Sequence, residues 1–155
     1  MREGGGPDND GMASFTSSAH IERPAEEVFA YATDPSRFCE WQHSSTRGHV
    51  VGEPGVGAAC VDVRRVVGGQ RSSTAEISEY SPPTRWAVRG TGNGPIRANV
   101  GVTVEALGPE ESRVTVELEF VGVGLGRFLA PVVTWRAQQE MPGNMANLKR
   151  RLETV

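Results

Sequence analysis

Lysine is almost missing from this chain: Lys149 stands alone against fifteen arginines. Together with abundant Gly, Ala, Val and Pro, that bias is what a GC-rich genome produces, and it points to an actinobacterial source. The formal charge of −3 gives no reason to expect nucleic acid or an anionic membrane surface as a partner. There are only two cysteines, Cys39 and Cys60, in neither CxxC nor metal-ligand spacing. Two reduced thiols in a cytoplasmic protein is the expectation. No apolar run approaches ~18 residues and no apolar leader opens the chain, so neither a membrane span nor a signal peptide is expected. HExxH, GxSxG and GxxxxGK[ST] are all absent from the sequence, and no metal or cofactor is expected.

What is present divides simply. Residues 1–12 are glycine-rich and polar with almost nothing apolar to bury, so they read as a disordered tail, with Met12 a candidate biological start. Residues 13–155 form one domain, of a size that buries roughly two thirds of its unfolded surface. Ser14–Ile21 alternates as a first strand. Weaker strand patterns follow at Thr46–Val51 and Ala59–Val67, and Gly68-Gly69 signals a tight hairpin into Arg71–Tyr80. Pro82-Pro83 interrupts pairing before Arg85–Gly90, and short glycine-containing turns lead on to Ile96–Leu107 and Arg113–Val121. Short connections make this an antiparallel meander with one apolar and one wet face. From Leu125 to about Leu152 the apolar residues fall at helical spacing, with Pro142-Gly143 expected to kink or break the helix.

The segment from Ile21 to Trp41, IERPAEEVFAYATDPSRFCEW, reads as a strand end followed by two short helices, each opened by a proline. Asp34 is placed to cap the second, and Glu26 and Glu27 suit the positive end of the first. This pattern resembles the START-like, or SRPBCC, superfamily of polyketide cyclases and lipid-transfer relatives, over about residues 14–155. The resemblance implies an α+β helix-grip fold, in which a curved antiparallel sheet of about seven strands wraps a long C-terminal helix. It also implies a cavity between the two for a hydrophobic, polyketide-like or polycyclic small molecule.

Ligand sites are mostly apolar with a few placed polar groups. On that basis Val63, Ile77, Trp86, Val88, Val100, Val102, Leu118, Phe128, Val132 and Trp135 are the candidate lining, with plain core filling the competing role for each. Alternation on residues 59–67 leaves two options. Either Val61 and Val63 face inward, the favoured one, or Asp62 and Arg64 do and must pair. The resemblance further implies two other activities. An aromatase/cyclase would need acid–base help, for which His43, Arg65 and Tyr80 are the candidates. A self-sacrifice resistance protein would sequester an enediyne antibiotic and lose a glycine Cα hydrogen, with Gly90, Gly92, Gly94 and Gly101 as candidate cleavage points. The expected state is a monomer or weak homodimer.

Overall fold

A computed structural model describes residues 12–66, 68–92 and 94–154. Residues 1–11 of the expected tail lie outside the described residues. The elements run β1 Met12–Ile21, α1 Ala25–Ala32, a 3-10 turn Pro35–Arg37, α2 Phe38–Trp41, β2 Ser45–Val50, β3 Ala59–Val66, β4 Gly69–Ser81, β5 Arg85–Thr91, β6 Ile96–Gly108, β7 Glu111–Gly122, a second 3-10 segment Gly124–Phe128 and α3 Ala130–Glu153. The seven strands form one antiparallel sheet in the order β1-β7-β6-β5-β4-β3-β2. Every connection from β2 to β7 is a hairpin, and the sheet closes by pairing β1 with β7. This is the helix-grip arrangement that the sequence implies.

The core lies between the concave face of this sheet and α3. Met141, Met145, Leu148 and Leu152 project from one side of the helix onto Ile21, Val102, Val104, Val114 and Val116 of the sheet. The two small helices plug one end, where Phe38 stands edge-on to both Trp41 and Trp86, at 6.0 and 6.3 Å between ring centres. Pro35 opens its turn as the spacing predicts, and Asp34 Oδ1 accepts from the Ser36 N–H at 3.0 Å. Pro24, by contrast, is the N-cap of α1 and not its first helical residue. Pro142 does not break α3, which continues through it. Both Pro142 and Gly143 are exposed, so water can replace the lost backbone donor there.

The two small helices are tied together by Tyr31, whose hydroxyl donates to Glu40 Oε1 at 2.7 Å while Arg37 lies over its ring at 5.5 Å. Burial of the phenol, and next its hydrogen bond to Glu40, pushes the Tyr31 pKa up from 10.0 to about 12. Between those values the folded chain keeps a proton that the unfolded chain releases. Stability is therefore complete below pH 10 and declines as pH climbs toward 12. The group is only partly buried, so the expected loss is about 1 kcal/mol. Urea melts just below and well above pH 10 check this. The wild type should weaken more steeply than Tyr31→Phe, and parallel declines would refute it.

Candidate ligand-binding site

Pairing across the sheet decides which side chains share the concave face. Ile77 of β4 belongs to the core and pairs with Val88, which pairs with Val100, which pairs with Leu118. Counting along β4 in twos puts Ala75, Ser73 and Arg71 on that same face. Their partners on β3 are Cys60, Asp62 and Arg64. Cys60, Ala75 and Val50 of β2 all pack on the core, which confirms the assignment. The favoured reading of β3 is thereby corrected: Asp62 and Arg64 face inward. Val63 is buried but lies on the other face, outside the main core cluster.

The inward pair is built as its surroundings require. Arg64 Nε lies 2.5 Å from Asp62 Oδ2, and its two terminal nitrogens donate to Gln42 Oε1 at 2.5 Å and Ser44 Oγ at 3.1 Å. Ser45, itself buried, donates to Asp62 Oδ1 at 2.9 Å. Arg71 stands directly opposite Arg64 across the strands, exposed and with no ion pair among the described residues. Like charges placed opposite each other on one sheet face repel. The thiol of Cys60, two residues along β3 from Asp62, is pushed up in pKa by burial and then by the Asp62 charge, so it stays a protonated thiol.

The concave face is graded. Ile77, Trp86, Val88 and Val102 are buried in the core. Across the strands from Val88, toward β7 and β1, Val100, Leu118 and Phe15 are only half-buried, as is Phe120 two residues on. The polar groups lie toward the other edge of the sheet, on β3 and β4, four to six residues along β4 from Ile77. Near the α2 end the indole N–H of Trp41 is buried and has no acceptor among the described residues.

The candidate residues on the C-terminal segment are placed differently. Phe128, Val132 and Trp135 are 72%, 61% and 62% exposed. They stand on the opposite side of the helix from Ala130, Thr134 and Met141, which are buried. The helical spacing that marks an apolar stripe is the same for an inward and an outward face, so the sequence pattern alone does not separate them.

Of the three acid–base candidates, Arg65 is exposed and donates to the His43 carbonyl at 2.5 Å, and His43 itself is exposed. Tyr80 is on the concave face, 6.3 Å from the Phe29 ring. The structure does not bring Arg65 into the concavity with Tyr80. Among the candidate glycines, Gly90 shares the concave face with Val88, two residues before it, and pairs with Ala75; a Cβ there would lie 2.7 Å from the Ala98 carbonyl oxygen. Gly101 lies on the outer face beneath the Arg85 guanidinium, while Gly92 and Gly94 are exposed in the β5–β6 turn. An open depression of about 450 Å³ also crosses that outer face, among Arg85, Arg89, Asn99, Glu117 and Glu119. Its charges are already matched: Arg85 pairs with Glu79 and Glu117, Arg89 with Glu76, and Asn99 donates to Glu119.

Residues 12–153 match the polyketide cyclase / dehydrase and lipid transport family. The chain belongs to this family. Among solved structures, its fold is similar to that of the ZhuI aromatase/cyclase from Streptomyces sp. R1128, with a TM-score of 0.75 at 13% identity, covering 92% of this chain and 94% of that one. A START superfamily protein from Mycobacterium smegmatis gives 0.73 at 12% identity over 91% and 97% of the two chains. An uncharacterized protein of Mycobacterium tuberculosis is 27% identical over 95 residues, which is 60% of this chain and 66% of that protein. Among the described residues no helix is long and apolar enough to cross a membrane.

Proposed function

We propose that this member of the family binds an apolar small molecule with a polar, electron-rich end, held in the open part of the concave face. The observation that carries this reading is a concave face that presents both an inward polar set, Arg64, Arg71 and Asp62 on β3 and β4, and a half-buried apolar floor, Val100, Leu118 and Phe15 on β6, β7 and β1. An arginine with no ion pair among the described residues, facing a paired one, favours an oxygen-rich group between them, and the body of such a ligand would cover the floor. The buried N–H of Trp41 is one further donor that a ligand or water could satisfy. Family membership supports a ligand-binding or cyclase role. Binding is favoured over turnover because Arg65 and His43 meet outside the concavity, leaving Tyr80 without a partner for acid–base work.

The test is incubation with a panel of polycyclic polyketides and one enediyne, following melting temperature, ligand integrity and protein mass together. A binding protein should gain about 2.7 kcal/mol of stability at a hundredfold excess over Kd, with ligand and protein unchanged. Altered ligand would replace this reading with cyclase chemistry. Protein fragments ending near Gly90 would replace it with self-sacrifice. No stabilisation by any polycycle would remove the reading altogether.

A further inference from the structure

The outward stripe of the C-terminal segment has no partner among the described residues. Leu125, Phe128, Leu129, Val132 and Trp135 are between 50% and 83% exposed. They are not free to fold inward, because the backbone beneath them is packed against the β5–β6 turn. A Cβ at Gly126 would strike the Pro95 carbonyl, and one at Gly122 would strike the backbone of Gly126 and Arg127. The Val123 N–H also donates to the Pro95 carbonyl at 2.8 Å. The stripe is thus held in solvent by a fixed platform.

We infer that this stripe is the interface with a second copy of the chain. At 50–83% exposure the five residues, two of them aromatic, expose on the order of 600–700 Å², at or above the upper end of what a soluble monomer ordinarily shows. That area is close to the ~800 Å² each partner contributes to a standard interface. Composition agrees. From Val123 to Gln139 there is no Lys, Asp or Glu, whereas Phe, Trp and two arginines are present, the mixture that interface centres favour.

A two-fold arrangement fixes which residues meet. Phe128 and Trp135 are seven residues apart, about 10 Å along the axis, so an antiparallel pairing centred near Val132 sets Phe128 of each copy on Trp135 of the other. In that register Arg127, which has no ion pair among the described residues, comes opposite Arg136 of the second copy, whose charge Glu140 offsets at 3.8 Å within its own chain.

Sedimentation velocity on the full chain over a range of concentrations tests the inference. The wild type should form dimers. Val132→Asp should raise the dissociation constant by tenfold or more, while its melting temperature at concentrations below dimer dissociation should match that of the wild type, since Val132 contributes little to the core. Arg127→Glu, which sets an acid opposite Arg136 of the second copy, should tighten the dimer, and adding Arg136→Glu should cancel that gain. A wild type that stays monomeric, or a Val132→Asp dimer as tight as wild type, overturns the interface. So does a monomer that sediments with phosphatidylcholine–phosphatidylglycerol vesicles, which would make the stripe a membrane contact. None of these readings depends on whether the concave face binds a ligand.

Discussion

Gly126→Ala should destabilise the protein by about 3 kcal/mol or more, among the larger effects of any single methyl addition in this fold. The reason is contact with backbone, which cannot rotate away. The new Cβ would fall on the Pro95 carbonyl, against both its oxygen and its carbon. Relief requires the 3-10 segment to lift from the β5–β6 turn, which breaks the Val123-to-Pro95 hydrogen bond and shifts the entry to α3. Gly122→Ala should behave alike, because its Cβ meets the Gly126 carbonyl and the backbone of Arg127. Gly143→Ala is the control. Nothing lies within 4 Å of its added carbon and the site is helical, so that change should stabilise slightly. Chemical melts of the three variants decide the matter, and a Gly126→Ala protein as stable as wild type would show that this segment is not fixed.

These glycines illustrate how much of the fold is legible in the chain. Gly122-Val-Gly-Leu-Gly126 joins β7 to α3, where glycines suit a hinge with unusual dihedrals. Only Gly124 has a positive φ, of 60°. Its two neighbours are glycine for a different reason, close backbone approach, which depends on where Pro95 of a distant turn ends up. Short-range signals such as proline-opened helices, hairpin glycines and strict alternation on β6 and β7 are local, so they survive reading from sequence. Contacts between distant segments are not local and do not.

The same division runs through the candidate site. The face of β3 was ambiguous because Val61 and Val63 alternate with Asp62 and Arg64, and apolarity argues for the valines. One signal could have settled it. Counting back around the hairpin from Ile77, an obvious core residue, puts Cys60 on the same face and carries Asp62 and Arg64 with it. Val63 is buried nonetheless, so burial alone would have misled. For Phe128, Val132 and Trp135 no local signal exists, because an interface stripe and a core stripe share one spacing and one composition. The core end of the site, Ile77, Trp86 and Val102, was readable as apolar interior. Whether it fills or lines a cavity depends on the depth at which α3 crosses the sheet, a property of the whole sheet's curvature.

Arg64→Met should cost about 2–3 kcal/mol of stability and abolish ligand binding, whereas Arg71→Ala should cost little stability and still weaken binding about tenfold. The contrast follows from the partners each arginine has. Removing Arg64 strands Asp62, whose side chain is only 14% exposed and which would keep the Ser45 hydroxyl as its one side-chain partner. The penalty is therefore largely that of an uncompensated carboxylate. Replacing both members, as in Asp62→Asn with Arg64→Met, removes that penalty and should recover much of the lost stability while binding stays lost. Arg71 has no ion pair to break among the described residues, and its removal relieves the repulsion from Arg64 across the strands. Any loss of ligand affinity in Arg71→Ala must then come from the ligand. Melting curves with and without the best-stabilising polycycle separate the two effects. Unchanged ligand stabilisation in both Arg71→Ala and the double variant would show that the polar wall of the concave face has no part in recognition.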